Sequence, residues 1–165
     1  MSGEEKDFVV TSEVSEETCL VMKNELSFFP FLDEKDLAEV PCFLERREVK
    51  AGEVLFSEGD SCDYLAYIVE GALEIRKETE FRGKQFILGI YGEGSLVGEL
   101  CILDAVPRQI TATAKDDTTL IVLSRENFDK MLAEYPELGV KFLKGLLLAV
   151  SIRLRKSFDR MSSIF

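Results

Sequence analysis

The chain has 165 residues, 46% of them apolar and 31% charged, which fits one globular domain with appended helices and excludes disorder throughout. With 20 basic against 31 acidic residues the net charge is −11, a balance that repels phosphate backbones and argues against a nucleic-acid partner. There is no histidine, so the commonest general base and the commonest metal ligand are both missing.

Cys19, Cys42, Cys62 and Cys101 show no C-x-x-C spacing, and the acidic, polar start Met1-Ser2-Gly3-Glu4-Glu5 does not read as a secretory signal. The thiols are therefore expected to be reduced and the location cytoplasmic. Apolar runs such as Leu146 to Val150 are far too short to span a membrane.

Residues 1–23 read as an acidic tail, loose or weakly docked as a helix. Residues 24–45 read as a helical segment: Phe28, Phe29, Phe31 and Leu32 cluster before Asp33, a suitable N-cap, and Leu37, Val40, Phe43 and Leu44 follow at helical spacing. Pro41 should kink this segment or split it. From 46 to 123 the signals become those of strands. Short apolar runs (Val54–Phe56, Tyr64–Val69, Leu73–Ile75, Phe86–Ile90, Ile110–Ala114, Leu120–Leu123) alternate with turns such as Glu58-Gly59-Asp60, Glu70-Gly71, Arg82-Gly83 and Gly92-Glu93-Gly94. That rhythm predicts an antiparallel sandwich or barrel.

Residues 124–165 read as helices. Ser124 caps the first, and Pro136 stands at the first turn of a second that runs past Arg160. On it Val140, Leu143, Leu147, Val150, Leu154, Ser157, Met161 and Ile164 are spaced 3, 4, 3, 4, 3, 4, 3, a heptad seam with one polar break. Leu138, Phe142, Leu146 and Ala149 form a neighbouring stripe. Either the second stripe packs on the β-domain and the seam (Leu143, Leu147, Val150, Leu154) meets a second copy in a homodimer, or both form one wide face on the chain's own core.

One segment carries chemistry. Gly89, Gly92, Gly94 and Gly98 open the backbone to close approach; Glu99-Leu100-Cys101-Ile102-Leu103 is an apolar turn headed by an acid; Val106-Pro107-Arg108 delivers a guanidinium just before a strand. A lone Glu/Arg pair would read as a structural ion pair. The ordered series of glycine turn, short helix and arginine reads as an anion pocket, with a carboxylate able to accept from a sugar hydroxyl.

The stretch Leu96-Val97-Gly98-Glu99-Leu100-Cys101-Ile102-Leu103-Asp104-Ala105-Val106-Pro107-Arg108-Gln109-Ile110-Thr111-Ala112 resembles the phosphate-binding cassette of cyclic nucleotide-binding domains, whose pattern is roughly F-G-E-L-A-L, four residues, then P-R-(A/S/T)-A-T. Ala51 to Asp60 is similar to the family's first-strand signature, and Asp63 with Gly71 to its next turn. Val97 stands where the family usually has Phe and Cys101 where it often has Ala; both stay apolar. The resemblance implies a mainly β fold with flanking helices, a double-stranded β-helix or jelly-roll β-roll, with the cassette at 94–112.

It implies cAMP or another cyclic nucleotide as regulatory ligand and no metal. Arg108 would clamp the cyclic phosphate and Glu99 would accept from the ribose 2′-hydroxyl. Amides at Gly98, Cys101 and Gln109 would complete a cradle flanked by Leu100 and Pro107, and Ile75 would wall the base. Cyclic GMP-preferring members often carry Thr after the arginine; Gln109 lacks that hydroxyl, which leans the reading to cAMP. Phe142, Ser151, Arg153 and Phe158 are the candidates to cap the base. The expected role is a non-catalytic sensor whose C-terminal helices move on binding. A relative of the cAMP receptor/Fnr regulators without their DNA-binding helix-turn-helix, or an interaction module that has lost its ligand, are the alternatives. No Ser or Cys has a paired base, so an enzyme is not expected.

Overall fold

The computed structural model describes residues 10–15, 30–79, 83–104 and 106–162. Cys19, Phe28, Phe29, Arg82, Ala105 and Ile164, named above, lie outside the described residues. The elements in chain order are β1 (Val10–Glu13), α1 (Glu34–Glu39), a 3-10 helix (Val40–Phe43), β2 (Glu45–Val49), β3 (Val54–Phe56), β4 (Tyr64–Glu70), β5 (Ala72–Glu78) and β6 (Gln85–Gly92). Then come β7 (Leu96–Val97), a 3-10 helix (Glu99–Ile102), β8 (Thr111–Ala114), β9 (Thr118–Ser124), α2 (Arg125–Glu134) and α3 (Pro136–Ser162).

The strands make two antiparallel sheets, ordered β1-β2-β9-β4-β7 and β3-β8-β5-β6. This is the β-roll with flanking helices that the motifs imply. The five-stranded sheet is the middle layer. On β4 and β9, Ala66, Ile68, Leu120 and Val122 face the other sheet, where they meet Leu73, Ile75, Ala112 and Ala114. The intervening Leu65, Tyr67, Ile121 and Leu123 face the helices, against Phe128, Met131, Leu138 and Phe142. Burial on both faces is why these two strands read as continuous apolar runs. By contrast β8, at the sandwich only, alternates Thr outward and Ala inward.

Local chemistry sets the ends of the helices. The Asp33 carboxylate accepts from the Asp36 N–H at 3.0 Å, and the Asp36 carboxylate from the Asp33 N–H at 2.8 Å, a reciprocal cap on α1. Pro41 tightens the following turn into the 3-10 helix. The Ser124 hydroxyl accepts from the Asn127 N–H at 3.1 Å at the head of α2. On α3, Leu138, Phe142 and Leu146 are buried, while Val140, Leu147, Leu154 and Met161 of the seam are at least half exposed. Among the described residues no helix is long and apolar enough to cross a membrane.

Three features differ from the sequence reading. Part of the segment read as a loose tail is a strand: Val10–Glu13 pairs antiparallel with β2, and Val14 behind it is buried. β7 is two residues long, too short for any periodicity to reveal. The thiols of Cys62 and Cys101 are not both free: the two residues form a disulfide with Cα atoms 4.8 Å apart. Their separation of 39 positions hides the pairing in sequence, because it arises only where the β3–β4 loop folds against the segment after β7.

Candidate functional site

The segment from Gly98 to Ile110 is held by its own backbone against the β3–β4 loop. The Arg108 N–H donates to the Asp60 carbonyl at 2.9 Å, and the Gly59 N–H to the Arg108 carbonyl at 2.8 Å. Gly98 has φ +74° and opens the 3-10 helix Glu99–Ile102. A Cβ there would collide with Arg108 Nη1 and lie 3.0 Å from the Tyr64 carbonyl oxygen. Only glycine lets the guanidinium pass so close to the chain.

Arg108 is 3% exposed, on the wall of a cavity. Its guanidinium stacks on Phe56 at 4.0 Å and Tyr64 at 4.4 Å. Nη2 donates to the Tyr64 carbonyl and Nη1 to Cys101 Sγ, both at 3.0 Å, while Nε has no hydrogen-bond partner among the described residues. Among the described residues no carboxylate lies within 4.0 Å of it, unlike the ion pairs elsewhere in the molecule. Burial pulls the guanidinium below its ordinary pKa, and the negative potential of Tyr64, Asp63 and Asp60 only partly opposes this. A buried cation without a counter-ion is costly, and an anion in the adjoining cavity would relieve it.

Across the cavity Glu99 is engaged by α3. Arg153 Nη1 donates to Glu99 Oε1, Nη2 donates to the Leu96 carbonyl at 2.6 Å, and the guanidinium lies 5.2 Å from the Tyr91 ring centroid. The last helix thus reaches back into the segment that the sequence singles out.

The cavity measures about 190 Å³. Gly98, Glu99, Leu100, Cys101, Pro107, Arg108 and Gln109 all line it, and so does Arg153. Two expectations need correction. Ile75 is not on this wall: it is fully buried between the sheets, opposite Ala112, because β5 points it into the sandwich core. The Cys101 N–H is spent within the 3-10 turn, donating to the Gly98 carbonyl at 3.0 Å. Of the four residues considered for the base, Phe142 is buried in the helical core, Phe158 is exposed along α3, and the Ser151 hydroxyl donates to the Leu147 carbonyl. Arg153 alone of the four lines the cavity. Phe56, Cys62 and Tyr91 line it as well. No local pattern marks them, because their positions depend on how the sheets close.

The model of the cyclic nucleotide-binding domain matches residues 46–135, more than half of the chain. The chain belongs to the cyclic nucleotide-binding domain family. A cyclic nucleotide-binding domain from Methylobacillus flagellatus shares the fold, with a TM-score of 0.81 over 99% of this chain and 93% of that one at 24% identity. The regulatory domain of Toxoplasma gondii PKA, solved with cAMP, is 28% identical with a TM-score of 0.62, covering 73% of this chain and 45% of that one. A lysophospholipase of Phaeosphaeria nodorum is 33% identical over 116 residues, 70% of this chain but 7% of that protein. The chain spans about a quarter or less of the curated relatives it matches first. Members of this family are in general non-catalytic binding domains. Among the described residues no cluster of Cys, Asp and Glu side chains converges to hold a metal ion.

Proposed function

We propose that this domain is a cyclic-nucleotide sensor, with cAMP as its ligand, and that binding is coupled to movement of α3. One observation carries the reading: Arg108 is buried at the cavity wall with no carboxylate beside it among the described residues. A cyclic phosphate there would take the guanidinium as its counter-ion through charge-assisted hydrogen bonds. The Glu99 carboxylate would accept from the ribose 2′-hydroxyl. Gly98 and Gln109 would frame the phosphate, and Leu100 and Pro107 would supply apolar contact. Gln109, whose Nε2 donates to the Pro107 carbonyl at 2.8 Å, brings no hydroxyl for a guanine, which supports cAMP over cGMP.

The coupling follows from Arg153. Ribose and Arg153 would share one carboxylate, so ligand binding weakens a contact that docks α3. A ligand moves α3 only by its difference in affinity for the two arrangements of the helix. The stripe Leu143, Leu147, Val150 and Leu154, of which Leu147 and Leu154 are exposed while Leu143 packs partly on the helical core, is the surface through which a homodimer would form, and would carry the movement to a second copy. The proposal includes a cytoplasmic setting, no catalysis by this chain and no nucleic-acid partner, in keeping with the charge of −11.

Calorimetry with cAMP and cGMP tests this. At about 0.3 kcal/mol per non-hydrogen atom, cAMP should bind with a micromolar Kd. Arg108→Ala should weaken binding by about 2–5 kcal/mol. Equal affinity of the two proteins removes Arg108 from its role. The absence of any thermal shift with saturating cyclic nucleotides would favour an interaction module instead.

A further inference from the structure

We propose that the Cys62–Cys101 pair is a reversible redox modification site that sets the order of the phosphate-binding segment and, resting on the sensor reading above, its affinity for the nucleotide. Both residues line the cavity. The bond joins the β3–β4 loop to the 3-10 helix that follows Gly98. Arg125, the first residue of α2, clamps the same two points: it donates to the Cys62 carbonyl at 3.1 Å and, through Nε, to the Cys101 carbonyl at 2.9 Å. Bond and clamp together hold the segment against the sheet at the place where α2 begins.

The surroundings make the bond openable in one direction. Cys62 is half-buried and Cys101 is 1% exposed, so an attacking thiolate reaches Cys62 Sγ. The new bond forms between the incoming sulfur and Cys62; the old S–S bond breaks and its electron pair leaves on Cys101 Sγ. That sulfur lies 3.0 Å from Arg108 Nη1, so the departing thiolate is stabilised by a buried cation. A second thiolate of the same dithiol then attacks the mixed disulfide, releases Cys62 as thiolate and closes its own disulfide, so the dithiol supplies both electrons. Glutathione disulfide reverses the exchange, with two glutathione thiols released.

Reduction acts on the site twice. It removes the covalent tie between the 3-10 helix and the β3–β4 loop, leaving the hydrogen bonds of Arg125 to hold them, and it leaves a sulfur on Arg108 that competes, as thiolate, for the charge a cyclic phosphate would use. Both lower affinity. By linkage the bound nucleotide must resist reduction by the same factor that oxidation raises affinity.

The test uses the full chain equilibrated in glutathione disulfide or in dithiothreitol. Peptide mapping without reduction should find Cys62 linked to Cys101. Amide exchange at residues 99–104 should be slower in the oxidised protein, and its Kd for cAMP roughly tenfold lower or more. Cys62→Ser should match the reduced protein in both solutions, while a Cys19→Ser/Cys42→Ser double variant keeps the full response. No link between the two residues, or equal exchange at 99–104 in both states, overturns the redox site. Equal Kd values overturn its control of binding. If exchange responds but no nucleotide binds in either state, the redox site stands and the sensor reading falls.

Discussion

The space between the two sheets is buried and apolar, whereas the segment from Gly98 to Ile110 buries Cys101, Ile102 and Arg108 and exposes Leu100, Leu103 and Val106, and the two tolerate change differently. Between the sheets Leu73, Ile75, Leu120 and Val122 meet other apolar side chains, and no single contact is directional. In the segment, one guanidinium, one carboxylate and one disulfide each have a defined partner or lack one. Apolar packing scales with the area and volume it fills, so an error there costs stability. The polar segment depends on placement, so an error there costs binding while the fold survives.

Exchanging the two kinds of change separates the regions. Gly98→Ala should have the largest effect on the ligand: the added methyl displaces the Arg108 guanidinium, and affinity for cAMP should fall by roughly 30-fold or more in calorimetry. A thermal melt within a few degrees of wild type would accompany it; wild-type affinity would mean that the guanidinium does not meet the phosphate. Leu73→Ala, at a fully buried position, should show the reverse. Urea unfolding should record a loss of about 2–5 kcal/mol, with the affinity of the folded fraction unchanged within twofold.

A smaller effect sharpens the boundary between the segment and α3. Arg153→Met keeps an apolar stem but releases Glu99. The pair is partly exposed, with Arg153 at 34% and Glu99 at 15%, so stability should drop by about 1 kcal/mol or less. Spin-label distances between the segment and Leu154 in the ligand-free variant should move to those of nucleotide-bound wild type. Distances that stay at the ligand-free value would separate binding from the helix.

The smallest effect lies farthest from the cavity. Lys141 on α3 bridges Asp33 at 2.8 Å and Asp36 at 2.6 Å, tying α3 to α1. The hydrogen bond from Lys141 holds the Asp33 carboxyl at about 2, against an ordinary value of 3.8. Because the folded pKa is the lower one, this contribution to stability is complete above about pH 4 and is lost as pH falls through about 2. Melting temperatures recorded from pH 5 to pH 2 should show this decline, and Lys141→Met should flatten it.

Much of this could be read from residues alone, and the reason differs by element. Asp33, Pro41, Ser124 and Pro136 act on their immediate neighbours, so the ends of α1, α2 and α3 follow from local chemistry. The strands beyond Glu45 announce themselves because apolar runs stop at turns that require glycine; at Gly71, with φ +88°, a Cβ would strike the Asp117 carbonyl at 2.5 Å. The segment from Gly98 to Gln109 is contiguous, and Gly98, Glu99, Leu100, Cys101, Pro107, Arg108 and Gln109 line one cavity for that reason. The place of Ile75 is not legible from residues alone, since the face a strand turns to its core depends on the opposite sheet, and β7 is too short for a pattern to mark it.

By itself, then, the amino-acid order determined the alternation of strands and turns, the capped helices, and a glycine-opened loop carrying an acid and an arginine, all set by interactions within a few positions. Only the folded chain decided that Arg108 stacks on Phe56 and Tyr64 without a carboxylate, that Cys62 meets Cys101, and that Arg153 reaches Glu99. Those contacts join residues between 39 and 54 positions apart, as in Cys62–Cys101, Arg108–Tyr64 and Arg153–Glu99. No local preference encodes such pairs; they exist because closing the two sheets brings distant loops to the same end of the sandwich.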